Sequence, residues 1–187
     1  APLSENQAAL WFLSQLAPHS AAANVSVVLP LPFDVNQVAL KQALDQLGER
    51  HAPLRTTYET RDEVPVQRIH ACLSLGWTVV DASTWDWARL RREAMEAAAI
   101  PFNLAHGPLW RASLFMGKRQ AWLLLVAHHI AVDGWSMIRL VEELKGDYGS
   151  DGSVPQQRSG GPGSRPAPYA EFIRWHRSLL ESAEGGR

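Results

Sequence analysis

The segment Ala127-His128-His129-Ile130-Ala131-Val132-Asp133-Gly134-Trp135-Ser136 gathers two imidazoles, a carboxylate and a glycine in one short stretch of chain. It leaves an apolar run and enters a helical pattern, so these groups fall at the end of a strand, where side chains can be presented to a cleft. Imidazole titrates near neutral pH, which suits it to take a proton from an attacking amine or hydroxyl. In extended backbone successive side chains point to opposite faces, so His128 and His129 diverge unless the strand has already bent. One is expected to be the reactive group and the other structural. Taken singly, His128 reads as a packing histidine and Asp133 as a helix cap. The constellation as a whole reads as a site.

Two other chemistries fit less well. Divergent neighbouring histidines make poor zinc ligands, no His-x-x-x-His or Cys-x-x-Cys spacing is present, and the remaining histidines are scattered, so no metal is expected. A serine hydrolase is disfavoured because the chain has no Gly-x-Ser-x-Gly elbow.

The elements that must hold this segment can be read from periodicity. Ser4 with Gln7 predicts a capped helix carrying Leu10, Trp11, Phe12, Leu13 and Leu16. Val25 to Leu31 reads as a strand closed by Pro30 and Pro32. A second helix is predicted from a cap at Asp34, with Val35, Val38, Leu40, Ala43, Leu44 and Leu47 on one face and a stop at Gly48. Leu54 to Thr60 and Val64 to Ile69 read as paired strands, Trp77 to Val80 as a shorter one, and Trp85 to Ala99 as a helix ended by Pro101. Leu109 to Met116 and Gln120 to His128 form a hairpin around Gly117-Lys118-Arg119. Met137, Leu140, Val141 and Leu144 stripe a helix after Gly134. Strands mixed with helices predict an α/β fold, a mixed β-sheet covered by helices.

With 187 residues, 46% hydrophobic and 20% charged, the chain suits one domain with a full core rather than a disordered polymer. A formal charge of -1 gives no footprint for nucleic acid or an anionic membrane surface. No apolar run approaches the roughly 20 residues of a membrane span. The single Cys72 cannot make an intrachain disulfide, and the opening residues lack the pattern of a secretory signal, which predicts a cytoplasmic protein. The composition shifts to Gly, Ser, Pro and Gln between Gly149 and Pro168. The expected organisation is therefore a compact unit over 1–148, a flexible linker over 149–168, and a helix over 169–187 carrying Tyr169, Phe172, Trp175 and Leu179.

Residues 128 to 134 match His-His-x-x-x-Asp-Gly, and the chain here resembles the condensation domains of nonribosomal peptide synthetases, within the chloramphenicol acetyltransferase-like superfamily. Three further stretches resemble family motifs in the same order. They are Ser4-Glu5-Asn6-Gln7-Ala8-Ala9-Leu10-Trp11, then Arg50-His51-Ala52-Pro53-Leu54-Arg55-Thr56-Thr57-Tyr58 against Arg-His-Glu-x-Leu-Arg-Thr-x-Phe, and Tyr169-Ala170-Glu171-Phe172-Ile173-Arg174-Trp175 against Tyr-x-Asp-Phe-Ala-x-Trp. Pro101-Phe102-Asn103-Leu104 with Gly107-Pro108-Leu109 is also similar to the family. Ala52, Asn6, Ala9 and Val132 depart from the usual residues and leave the histidines untouched.

The resemblance implies an amino-terminal lobe of a two-lobed domain, with a second lobe supplying the other wall of a tunnel. It implies that His129 is catalytic and His128 structural, and that Asp133 is a scaffold paired with an arginine, for which Arg55 is the candidate. It gives Gly134 the role of admitting a close approach and Trp135 that of lining or supporting the cavity. The implied partners are upstream and downstream peptidyl carrier domains, which bring substrates as thioesters of 4'-phosphopantetheine; no cofactor is bound directly. An epimerisation domain or related acyltransferase shares the double-histidine motif, and a non-catalytic docking module is a third alternative. Heterocyclisation is disfavoured, since that branch replaces the histidines.

Overall fold

A computed structural model describes residues 2–148; the expected linker over 149–168 and helix over 169–187 lie outside the described residues. Four strands form the main sheet in the order β1-β6-β5-β4: β1 (Asn24–Pro32), β4 (Gly76–Asp81), β5 (Trp110–Met116) and β6 (Gln120–His128). The predicted hairpin is β5 with β6, and β1 lies antiparallel on the other side of β6. β1 runs through Pro30, which stands opposite Trp122, instead of closing there. An edge strand allows this, because a proline's missing N–H can face away from the ladder. β4 pairs parallel with β5, and helix α3 (Trp87–Ala98) makes the crossover between them.

β6 is buried on both faces, and its alternation sorts the layers. Leu123, Leu125 and Ala127 pack with α2 (Gln37–Arg50) and α4 (Gly134–Tyr148), while Leu124 and Val126 pack with Leu90 of α3. The result is the expected α/β architecture, a sheet between helical layers. The stripe Met137, Leu140, Val141 and Leu144 of α4 is buried as its spacing predicts. Tyr148 at the end of α4 accepts a hydrogen bond from the Asn36 amide at 3.0 Å, which ties α4 to the start of α2.

Four local readings are corrected. The cap of α2 is Asn36, whose Oδ1 accepts from the Ala39 amide at 3.0 Å, and not Asp34. The helix runs through Gly48 to Arg50, and a Cβ at Gly48 would come within 3.3 Å of the Trp110 ring, so this glycine serves helix-to-sheet packing and not a stop. Val38 is 68% exposed and leaves the apolar face. Leu54 and Arg55 belong to a 3-10 turn over Ala52–Arg55, so the second hairpin begins later, as β2 (Thr56–Arg61) with β3 (Val64–Ile69). Its turn has Asp62 and Glu63 at φ 50° and 63°, the left-handed pair that a two-residue hairpin requires.

Helix α1 (Glu5–Leu16) starts with a closed capping box: the Gln7 amide donates to Ser4 Oγ at 3.2 Å and the Ser4 amide to Gln7 Oε1 at 3.0 Å. Its apolar stripe turns inward only in part: Leu10 and Trp11 pack half-buried against the core, and the rest faces outward. Phe12, Leu13 and Leu16 are exposed, and Gln7 is the buried residue. The cause is that Gln7 Nε2 donates to the Tyr58 hydroxyl at 3.0 Å, and a buried polar group must keep such a partner. Leu3, Tyr58, Leu104, Leu109 and Ile130 form the small core beneath that contact. No helix among the described residues is long and apolar enough to cross a membrane.

Leu123 is fully buried at the centre of the sheet. Leu123→Ala is expected to lower unfolding free energy by about 2–5 kcal/mol in urea titrations, whereas Val38→Ser should stay within about 0.5 kcal/mol of the parent. Equal losses in the two variants would contradict this assignment of the core.

Candidate active site

β6 delivers His128 to the sheet face of Leu124 and Val126. The imidazole is 5% exposed and meets the Phe102 ring edge-on at a centroid distance of 6.3 Å. Phe102 in turn carries the Arg111 guanidinium 4.1 Å above its ring. Arg111 donates to the carbonyls of Ala97 at 3.0 Å and Ile100 at 2.5 Å, closing the end of α3, and burial lowers its pKa. His128 thus sits on a fixed apolar floor. Its Nδ1 accepts from the Ile130 amide at 3.1 Å, which sets the tautomer with hydrogen on Nε2. Burial, reinforced by the charge of neighbouring His129, pushes its pKa down to about 4, so it is neutral at pH 7.

His129 goes the other way. Its amide donates to Ala23 O at 2.7 Å, extending the β1–β6 ladder by one bond, and its side chain is exposed. It faces a cleft of about 410 Å³ bounded by Gln7 and Leu10 of α1, by Pro53, and by Val132, Asp133 and Ser136. No hydrogen bond ties its ring to the described residues, so both ring nitrogens are available to a bound molecule. The turn that follows is held from within: the Ala131 and Val132 amides donate to His128 O at 2.9 and 3.2 Å.

Asp133 is exposed and caps α4, its Oδ1 accepting from the Ser136 amide at 2.7 Å. That bond, the Ser136 hydroxyl and the charge of His129 hold its pKa below the usual carboxylate range. The structure does not bring Arg55 to it. Arg55 donates to His70 O at 2.5 Å and lines a separate cavity of about 220 Å³ with Cys72 and Trp110. Gly134 has open space around the position of a Cβ, so no part of the described chain approaches it closely. Trp135 is 80% exposed and is not among the residues that bound the cleft. Among the described residues no three His, Cys, Asp or Glu side chains are gathered as metal ligands would be.

Several residues around the site escaped the sequence reading. Tyr58 donates to Ile130 O at 3.2 Å and accepts from Gln7, so two of the recognised motifs meet on the histidine turn. Arg50 and His51 of the second motif bridge to α4: Arg50 reaches Glu143 at 3.2 Å and also pairs with Asp147, while His51 Nε2 lies 2.8 Å from Glu143. A signal existed in the motif that contains all three, but their partners lie 51 to 97 residues away and no local pattern names them.

The sign of the pH dependence follows from His128. Its folded pKa is depressed to about 4, so between pH 6.5 and 4 the unfolded chain takes up a proton that the folded chain refuses. Stability is therefore complete above pH 6.5 and falls on acidification, by about 3 kcal/mol at most. Urea titrations from pH 7 to 4 should show this loss in the parent and much less in His128→Asn. Asp133→Ala removes an exposed cap and not a buried ion pair, so its cost should be about 0.5–2 kcal/mol by thermal or urea unfolding. A loss well above that would point instead to the arginine-paired scaffold that the resemblance implies.

Comparison with known proteins then places the chain. Residues 1–186 match the family model described as the condensation domain. Chondramide synthase cmdD of Chondromyces crocatus is 37% identical over 93% of this chain, which spans 4% of that protein. The isonitrile lipopeptide synthase of Mycobacterium tuberculosis is 36% identical over 96% of the chain, which spans 7% of its length. Among solved structures, the starter condensation domain of rhizomide synthetase RzmA superposes with a TM-score of 0.79 at 21% identity, covering 97% of this chain and 44% of that one. The X-domain in complex with OxyB from teicoplanin biosynthesis gives a TM-score of 0.81 at 27% identity, covering 96% of this chain and 38% of that one. With the strand-end histidine pair, the cleft and the fold all in agreement, the chain belongs to the condensation-domain family.

Proposed function

We propose that the chain is the amino-terminal lobe of a condensation domain that forms an amide bond between two carrier-bound substrates in a nonribosomal peptide synthetase. The observation that carries this reading is the division of labour at the end of β6. One imidazole is buried and neutral, and its neighbour is free at the edge of a cleft. In the reaction, the amine of the acceptor attacks the thioester carbonyl of the donor. A C–N bond forms, the C–S bond breaks, and the donor's phosphopantetheine leaves as a thiol. His129 positions the amine and takes its proton as the tetrahedral centre forms or collapses. The thioester is already activated, so the residues need only orient, deprotonate and exclude water.

The relatives are far longer synthetases, and the RzmA domain is more than twice the length that this chain covers. That supports a second lobe closing the far side of the cleft, and the exposed Phe12, Leu13 and Leu16 of α1 supply apolar surface for an interface. Peptidyl carrier domains upstream and downstream are the proposed partners, and 4'-phosphopantetheine their substrate arm. Asp133, Gly134 and Trp135 support the turn and the start of α4, and Arg55 supports the β2–β3 base through His70. A second reading, a docking module without acyl transfer, is favoured by the likeness to an X-domain solved with OxyB.

In the full-length protein, His129→Ala is expected to lower amide formation about 10²-fold or more with little change in melting temperature. Intact-mass spectrometry of the loaded donor and acceptor carriers reads the transfer directly. Carriers that bind without any transfer in the parent would favour docking; full transfer by His129→Ala would remove this imidazole from the reaction.

A further inference from the structure

We propose that the Tyr58 hydroxyl positions His129, by fixing the Ile130 carbonyl that follows it and so the plane of the turn that presents the imidazole. The proposal rests on the acyl-transfer reading of the cleft. Tyr58 does not bound that cleft, so it acts through the backbone and not on a substrate.

The hydrogen-bond chain is directional. Gln7 Oε1 is taken by the Ser4 amide, which turns Nε2 toward Tyr58. The phenol oxygen accepts that N–H and has one hydrogen to give, and it goes to Ile130 O at 3.2 Å. The ring itself is held: Tyr58 is 2% exposed among Leu3, Leu104, Leu109 and Ile130, and its amide donates to Leu104 O at 2.7 Å. The hydroxyl therefore stands at a fixed point, set by α1 on one side and β2 on the other.

That fixed point matters because of what holds the turn otherwise. The bonds from the Ile130 amide to His128 Nδ1, and from the Ala131 and Val132 amides to His128 O, are internal to the turn; the side chains of Ile130 and Val132 anchor it by packing, which does not by itself fix the orientation of the peptide planes. Among the described residues, two hydrogen bonds join residues 129–132 to other elements: His129 N–H to Ala23 O, and Tyr58 O–H to Ile130 O. They lie on either side of the His129–Ile130 peptide and together stop rotation about it. Displacing a catalytic group by about 1 Å can cost on the order of 10²-fold in rate, so a single hydrogen bond at this place can matter more to turnover than to folding.

The test uses the full-length protein with loaded carriers. Tyr58→Phe keeps the packing and removes the hydroxyl. It should lower kcat about tenfold while KM for each loaded carrier stays within about twofold. Deuterium uptake at residues 130–132 should quicken, with the amides of β6 and α4 unchanged. Replacement of Tyr58 by 4-aminophenylalanine, which restores a donor at the same position, should recover most of the lost kcat. If Tyr58→Phe folds poorly, Gln7→Met, which removes the group that orients the hydroxyl, should lower kcat in the same direction by a smaller factor. Wild-type kcat in Tyr58→Phe, or a fall that the amino analogue does not repair, overturns the proposal. Should the parent transfer no acyl group at all, the reading of the reaction fails separately. Exchange at 130–132 then decides the tie: quicker uptake in Tyr58→Phe supports it and unchanged uptake overturns it.

Discussion

The rest of this structure depends on the alternation of side chains at the end of β6. Two adjacent histidines leave an extended strand on opposite faces, and the protein uses that geometry instead of resisting it. The face of Leu124 and Val126 receives His128, and the opposite direction leads into the cleft with His129. Everything near the site follows from serving both directions at once. α3 and its capping Arg111 build the floor for one imidazole through Phe102. α1, the turn at Pro53 and the start of α4 build the wall for the other.

Much of this was legible in the sequence where the cause is local. The capping box of Ser4 and Gln7, the β5–β6 hairpin and the stripe of α4 involve residues a few positions apart, and their spacing states the structure directly. The opposed histidines were legible for the same reason. Readings failed where a distant partner decides. Gly48 resembles a stop because glycine often ends helices, yet the Trp110 ring, which comes from the sheet, sets its role. Asp34 and Asn36 are both good caps, and only the path of the chain out of β1 chooses between them. α1 shows the strongest conflict: its apolar residues predict one inward face, yet only Leu10 and Trp11 pack on the core, Phe12, Leu13 and Leu16 are exposed, and a buried amide–phenol hydrogen bond brings Gln7 inward.

The motif residues Arg50 and His51 make the same point about the candidate site. Next to a conspicuous histidine pair they invite a chemical role, and the structure gives them a mechanical one. Glu143 receives both Arg50 and His51, and Asp147 receives Arg50 again, so the end of α2 is locked to the last turns of α4. Each such partly exposed pair is worth about 0–1 kcal/mol alone, so the network contributes register more than stability. Register is what the site needs, since Asp133 begins α4 and the histidine turn ends β6. A shift of α4 along its axis would reach the cleft through Ser136 and Val132.

Proton bookkeeping at the histidine pair follows from burial. Two imidazoles on adjacent residues disfavour a shared positive charge, and the group with less water around it gives way. His128 gives way, and the hydrogen bond it keeps as a neutral ring is the one from Ile130 that begins the turn. Protonating Nδ1 would convert that acceptor to a donor facing another donor, so a charged His128 and an intact turn exclude each other. His129 carries no such obligation, since its ring has no bond to the described chain. Its orientation is set by the backbone alone, and the neutral, buried neighbour keeps that backbone in place.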